Sequence, residues 1–175
     1  MRYAAFLRGI NVGGRKAVTM DVLRAAFRDM GFEEVRTVQA SGNVVFEAGG
    51  EEGLPGLADK ITDGLENALG YRLDVIVRPL AYLEGLVAAD PFRGVAISPA
   101  TRLYVTFLSG PAENGTEIGS EERLKLVALT QGEVLTAIDL APGWGTTELM
   151  AWLERRFGKG VTTRNWNTIL KIAGV

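Results

Sequence analysis

The sequence predicts an α+β protein made of two tandem ferredoxin-like subdomains, each with an antiparallel sheet. Short apolar runs that end at Gly or Pro alternate with amphipathic runs of helical spacing. In the first half these runs follow the order β-α-β-β-α-β, which is the ferredoxin-like unit. In the second half the order is β-β-β-α-β, which matches the same unit with its first crossover helix missing or shortened.

The first subdomain is predicted over residues 1–79 and opens with a strand and a helix. The run Tyr3–Arg8 is short, apolar and followed by Gly, which indicates a buried strand. After a polar loop, Thr19 is placed to cap a helix whose apolar residues fall on one face. Gly31 is predicted to end this helix because Gly adopts the left-handed conformation at little cost, and Phe32 supplies the accompanying hydrophobic contact.

A hairpin, a second helix and a last strand complete the first subdomain. Two β-rich runs are separated by three residues that include Gly, which predicts a hairpin. A run with apolar residues at helical spacing follows and stops at Gly70, and a final β-rich run stops at Pro79. The predicted elements are the strands Val35–Gln39 and Asn43–Glu47, a helix from Leu57 to Ala68, and the strand Leu73–Arg78.

The second half is predicted as a connection over residues 80–100 and a second subdomain over residues 101–175. The connection contains a short helix, and the polar, Gly-rich segment Ser109–Ser120 is predicted as a loop. The remaining elements follow from the same periodicities. They are the strands Arg102–Leu108, Arg123–Leu129 and Glu133–Leu140, the helix Thr147–Phe157, the strand Val161–Thr163 and the closing helix Trp166–Ala173.

Composition excludes several kinds of chemistry. The 175 residues include no Cys and no His, which removes disulfides, thiolate nucleophiles, Cys-based zinc sites and the usual general base near pH 7. Catalysis would need carboxylates, Lys, Tyr, hydroxyls or a cofactor, and the sequence identifies no cofactor and no metal site. The formal net charge of −2 gives no indication of a nucleic-acid or membrane partner. The N-terminal apolar run is too short for a signal or a membrane span, so a cytoplasmic location without a membrane partner is expected.

Four motifs stand out along the chain. They are Leu7–Gly14, Gln39–Phe46, Asp90–Phe92 and Thr162–Thr168. In this order they resemble the bacterial family grouped as domain of unknown function 1697, and the resemblance runs from Met1 to near Val175. It implies a small α+β protein of two ferredoxin-like subdomains and implies no activity.

The first two motifs are expected to meet at one edge of the N-terminal sheet. In the ferredoxin-like order the first and third strands are antiparallel neighbours, so the end of one lies beside the start of the other. A Gly-rich loop before a helix offers backbone N–H groups and a positive dipole end to an anion, and Arg side chains suit phosphate or carboxylate. The ligand-binding residues predicted there are Arg8, Gly9, Asn11, Gly13, Gly14, Ser41 and Asn43.

A structural role is the alternative for the same residues. Gly13 and Gly14 can serve a turn that needs positive φ, and Asn11 and Asn43 can cap loops through nearby backbone groups. No Gly-Lys-Ser/Thr follows the two glycines, so this loop is not a Walker motif.

A second polar cluster precedes the last helix. Arg164, Asn165 and Asn167 are its predicted ligand-binding residues. Asn165 can also cap that helix with Trp166 packed as an anchor, but this alternative leaves Arg164 and Asn167 less well explained. Ligand sites favour junctions between subdomains, so we expect the two polar clusters to face one shared cleft.

These motifs favour a binding protein for a small anionic ligand, phosphorylated or nucleotide-like. One alternative is an enzyme that acts on a small anionic substrate without His or Cys, although no acid, base or nucleophile can be named. The other is a nucleic-acid-binding module. It has less support because an RNA-binding sheet exposes aromatic residues on its central strands, and the third strand offers only Phe46. The protein is expected to be a monomer or a weak dimer.

Overall fold

The structure, a computed structural model, describes residues 1–10, 17–39, 41–50, 53–112 and 123–175. These residues form a mixed α+β protein with two four-stranded antiparallel sheets and five helices, which confirms the predicted α+β class. The chain divides into two compact units. Unit 1 comprises Met1–Leu86 and Leu170–Val175, and unit 2 comprises Val87–Ile169. None of the described helices is long and apolar enough to cross a membrane.

Unit 1 follows the predicted β-α-β-β-α-β order. Its elements are β1 (Arg2–Leu7), α1 (Met20–Asp29), β2 (Glu33–Thr37), β3 (Asn43–Glu47), α2 (Leu54–Leu69) and β4 (Val75–Pro79), followed by α3 (Leu80–Ala88). The strands lie in the order β2-β3-β1-β4, and every neighbouring pair is antiparallel. This order places β1 and β3 side by side at the centre of the sheet.

Three strands of unit 1 are displaced from their predicted positions. β1 spans Arg2–Leu7 rather than Tyr3–Arg8. β2 begins at Glu33 rather than Val35, because a register shift between Glu33 and Arg36 lets pairing start before the apolar pattern does. β4 begins at Val75 rather than Leu73 and includes Pro79. A proline is accommodated there because β4 lies at the edge of the sheet, where a strand needs fewer backbone donors.

Local signals set both ends of α1 as predicted. The side chain of Thr19 accepts a hydrogen bond from the backbone N–H of Val22 at 3.3 Å. Gly31 follows the helix with a φ of +86°, and the N–H of Phe32 donates to the carbonyl of Phe27 at 3.2 Å. The rings of Phe27 and Phe32 are 5.8 Å apart, so the chain enters β2 already packed against the helix.

An aromatic cluster occupies the core of unit 1. Phe46 of β3 is fully buried, and its ring centroid lies 4.6 Å from that of Phe32 and 5.4 Å from that of Phe27. Tyr3 of β1 stacks on the same ring at 5.8 Å. The aromatic residues on this face of β1 and β3 are therefore core residues.

Unit 2 follows the predicted β-β-β-α-β order. Its elements are β5 (Thr101–Leu108), β6 (Leu124–Leu129), β7 (Glu133–Asp139), α4 (Thr146–Phe157) and β8 (Val161–Asn165), and the chain then enters α5 (Trp166–Ala173). The strands lie in the order β6-β7-β5-β8, all antiparallel. Of the predicted Ser109–Ser120 loop, residues 109–112 form neither helix nor strand, and the rest lies outside the described residues.

One face of the second sheet packs against α4. Leu108, Val134 and Ile138 contribute to a buried cluster with Leu149 and Trp152 of the helix. The last strand, β8, lies at the sheet edge and extends to Asn165, two residues beyond its predicted end. Part of the second polar motif is therefore strand.

The last residues of α5 belong to unit 1, and one of them is bound to β2. A guanidinium nitrogen of Arg36 in β2 donates to the carbonyl of Ile172 at 2.8 Å. The final carbonyls of a helix have no partner inside it, and a cationic side chain at that end satisfies one of them and complements the helix dipole.

Candidate functional site

The end of β1 lies beside the start of β3. Phe6 and Asn43 are register partners, and the N–H of Leu7 donates to the carbonyl of Gly42 at 2.8 Å. On the other side of β1, the N–H of Arg8 donates to the carbonyl of Asp74 at 2.9 Å. For the described residues this confirms the predicted placement. We call Leu7–Ile10 together with Ser41–Asn43 the β1–β3 corner.

Gly42 is required at the corner for two separate reasons. Its φ is +72°, in the left-handed region that disfavours residues with a Cβ. A Cβ at this position would also lie 2.5 Å from Cγ2 of Ile10 and 3.1 Å from Cβ of Leu7. The backbone of Gly42 therefore packs directly against the side chains of Leu7 and Ile10.

Asn43 holds the turn together. Its side chain is fully buried, and its amide Nδ2 donates to the carbonyl of Val38 at 3.0 Å and to Oγ of Ser41 at 2.9 Å. The backbone carbonyl of Asn43 also accepts from the N–H of Val38 at 2.9 Å. These contacts support the structural alternative for Asn43 and Ser41, which position the corner.

We expect Asn43→Ala to destabilise the protein by about 1–3 kcal/mol, because it leaves the buried carbonyl of Val38 without this donor. Urea unfolding followed by circular dichroism measures the change. Ser41→Ala is the matched control, since it removes one acceptor of the amide and leaves the bond to Val38, so its cost should stay below about 1 kcal/mol. If both variants lose the same free energy of unfolding, the hydrogen bond from Asn43 to the carbonyl of Val38 contributes no more than the bond to Ser41.

Arg8 supplies the positive charge of the β1–β3 corner. One guanidinium nitrogen lies 3.7 Å from a carboxylate oxygen of Asp74, and the two side chains are 31% and 68% exposed. Such an exposed, long ion pair stabilises a protein by only about 0–1 kcal/mol. Gly9 follows at the surface. The predicted site residues Asn11, Gly13 and Gly14 lie outside the described residues, so their roles stay predictions.

Arg164 is a half-buried cation on the edge strand β8. It stands opposite Val105 of β5 in register and donates to Oγ1 of Thr162 at 2.8 Å and to the carbonyl of Thr163 at 2.9 Å. Burial lowers the pKa of Arg164 to about 10. The guanidinium stays protonated near pH 7, and because burial disfavours its charge, a neighbouring anion would be favourable there.

Asn165 and Asn167 interact with each other at the start of α5. Oδ1 of Asn165 accepts from the backbone N–H of Asn167 at 3.0 Å, which is the bond that a helix cap makes. The ring of Trp166 between them is buried and lies 5.0 Å from the ring of Phe92. The capping and anchoring alternative for Asn165 and Trp166 is supported, and Asn167 is exposed.

The structure groups the predicted residues by unit. Arg8, Gly9, Ser41 and Asn43 belong to unit 1, whereas Arg164, Asn165 and Asn167 belong to unit 2. The shared cleft stays a prediction. In the described ranges of the chain, no three Asp or Glu side chains form a group that could hold a metal ion.

Sequence reasoning missed a cavity in unit 2. It has a volume of about 400 Å³ and is lined by Leu108–Ala112, which follow β5, and by Arg156–Gly158, at the end of α4. The two lining segments are far apart in the sequence. No spacing rule brings them together, and an Arg in the last turn of a helix is ordinarily assigned to the helix dipole.

Comparisons with known proteins support the family and the fold. The model of a family described as protein of unknown function, DUF1697, matches residues 1–134. The chain also resembles the solved structure of the conserved bacterial protein SP0830 from Streptococcus pneumoniae, with 21% sequence identity and a TM-score of 0.74. The similarity covers 98% of this chain and 96% of that one. At this identity the likeness shows the fold alone. No curated protein sequence matches the chain.

Proposed function

We propose a function for this chain, which belongs to the DUF1697 family of proteins of unknown function, from its own residues. It binds a small anionic ligand, phosphorylated or nucleotide-like, at the β1–β3 corner. The observation that carries this proposal is the placement of Arg8 at the end of β1, where its backbone N–H is held by the carbonyl of Asp74 and its partly exposed guanidinium forms a long ion pair with the Asp74 carboxylate.

Breaking the ion pair between Arg8 and Asp74 costs the protein little stability. Asp74 is largely exposed, so its carboxylate can be solvated by water when the guanidinium turns to a ligand. A guanidinium offers parallel N–H donors that match the oxygens of a phosphate or carboxylate, and such charge-assisted bonds are stronger than neutral ones. A ligand anion held in this bidentate geometry would therefore compete well with Asp74.

The rigidity of the corner adds to this. The N–H groups of Leu7 and Arg8 bind carbonyls of two different segments, and Gly42 packs against Ile10 without intervening space. A binding group whose backbone is already ordered loses less conformational freedom when a ligand arrives. The polar residues that precede α1 in the sequence, including Arg15 and Lys16, offer further donors of the same chemistry.

A small ligand is favoured over nucleic acid. The sheet aromatics Tyr3 and Phe46 are 8% and 0% exposed, and both face the core. Base stacking on a sheet requires exposed rings. The enzyme alternative still has no named acid, base or nucleophile, and Oγ of Ser41 accepts from the amide of Asn43 in the turn.

Replacing Arg8 should weaken anion binding with little effect on folding. Loss of a charged hydrogen bond of about 1.5–3 kcal/mol corresponds to a roughly 10- to 100-fold weaker Kd in Arg8→Ala. A thermal-shift screen of inorganic phosphate, pyrophosphate and nucleotides identifies the tightest probe, and calorimetry measures its Kd. Arg2→Ala is the matched control, since Arg2 lies at the other end of β1 and also makes an exposed ion pair, with Glu84 at 3.3 Å.

Asp74→Asn tests the same proposal in the opposite direction. It removes the carboxylate that competes for Arg8, so the tightest probe should bind about 2- to 5-fold more tightly, in line with an exposed ion pair of up to roughly 1 kcal/mol. If no probe binds, or if Arg8→Ala and Arg2→Ala weaken binding equally, the corner is not an anion site.

For the fold we propose the finer assignment that unit 1 is ferredoxin-like. The strand order β2-β3-β1-β4, with α1 after β1 and α2 after β3, supports it. For unit 2 the same assignment, without the first crossover helix, is supported by the corresponding order β6-β7-β5-β8. A cytoplasmic location stays a prediction.

A further inference from the structure

We propose a second ligand site in unit 2, independent of the β1–β3 corner. The cavity between residues 108–112 and the end of α4 binds a small organic carboxylate. Its volume of about 400 Å³ falls within the range of small-molecule pockets.

The walls of the cavity are fixed by backbone bonds. The N–H of Leu108 donates to the carbonyl of Gly132 at 2.8 Å, and the N–H of Ala112 donates to the carbonyl of Gln131 at 3.0 Å. These two bonds hold both ends of the lining segment on the β6–β7 turn. On the opposite wall, the N–H of Gly158 closes the last turn of α4 by donating to the carbonyl of Glu154 at 3.0 Å.

Arg156 supplies the anion-binding group. Its guanidinium carbon lies 4.1 Å from the centroid of the Trp152 ring, which is itself 1% exposed. Stacking on a buried ring holds a guanidinium in one plane and leaves its N–H edge available to a planar, bidentate acceptor. A carboxylate is such an acceptor.

The remaining accessible lining is mostly polar, although Leu108, Pro111 and Phe157 also belong to it. A polar lining does not require a large or apolar ligand body. The planar guanidinium of Arg156 therefore sets the ligand class, which is a small carboxylate.

The cavity can be tested with 15N-labelled full-length protein, using sodium butyrate as the probe. The indole Nε1–H of Trp152 is buried and makes no hydrogen bond to the described residues, so its NMR signal reports the ring under Arg156. Butyrate should shift this signal and the amides of Ser109, Gly110 and Gly158 along one saturating curve. Trp152→Phe assigns the indole signal.

Two variants and two further probes decide the outcome. Arg156→Gln should weaken butyrate binding at least about tenfold, while Arg155→Gln, its neighbour outside the cavity lining, should leave it unchanged. Gly110→Val adds a side chain to a residue that lines the cavity, and its Cβ would meet no atom within 4 Å, so it should weaken butyrate binding without unfolding the protein. The proposal is overturned if n-butanol or inorganic phosphate shifts the NMR signals as much as butyrate does. It is also overturned if the two Arg variants lose the same affinity for butyrate, or if butyrate gives no saturable shift.

Discussion

Gly42→Ala should be one of the two most damaging substitutions, with a loss of about 2–5 kcal/mol in the free energy of unfolding. Forcing Ala into the left-handed region costs about 1–2 kcal/mol, and overpacking adds about 1–3 kcal/mol. The second term applies because the new Cβ would stand 2.5 Å from Cγ2 of Ile10. For a chain of this length the melting temperature should fall by roughly 5–15 °C, which differential scanning calorimetry measures directly.

Gly31→Ala separates the two causes. Gly31 also has a positive φ, of +86°, but a Cβ there would meet no atom within 4 Å. Only the backbone term applies, so the loss should be about 1–2 kcal/mol. If both variants lose the same amount, the close packing between Gly42 and Ile10 has no energetic weight. The corner would then be less rigid than the proposed anion site requires.

Phe46→Ala should be comparably damaging, with an expected loss of about 3–5 kcal/mol. The ring is fully buried and contacts three other aromatic rings, those of Tyr3, Phe27 and Phe32. Removing it leaves a cavity and breaks aromatic pairs that add about 0.5–1.5 kcal/mol each beyond their burial. Urea unfolding monitored by circular dichroism gives the loss.

Phe46→Leu provides the control and also bears on nucleic acid. It keeps most of the apolar volume, so it should cost less than half as much as Phe46→Ala. A Phe46→Ala protein that keeps its stability would contradict the buried position of the ring. If such a protein also lost affinity for single-stranded RNA, the nucleic-acid alternative would replace the small anionic ligand.

Local chemistry explains what could be predicted from the sequence. The limits of β3 were predicted to the residue, because apolar residues stand between a Gly turn and an acidic loop. Thr19 and Gly31 mark the ends of α1 by cap chemistry that needs no tertiary information. The start of β2 was missed because pairing with β3, through a register shift, decides it.

The candidate site was less predictable. The proximity of the end of β1 to the Ser41–Asn43 turn could be predicted, since the order of the strands in the sheet alone determines it. It left the role of Asn43 open, because burial of that amide depends on how the turn packs. The cavity beside Arg156 could not be foreseen. It arises between segments that only tertiary packing joins.

The division of unit 1 into two stretches of sequence has a consequence for protein synthesis. The ribosome must add roughly 80 residues of unit 2 after Leu86 before it reaches Leu170. At about 5–20 residues per second this takes on the order of 4–16 s. Throughout that interval the nascent unit 1 has no Ile172 carbonyl for Arg36. The nascent unit 1 therefore leaves the ribosome without residues 170–175, and chaperones and proteases encounter it first in this incomplete form.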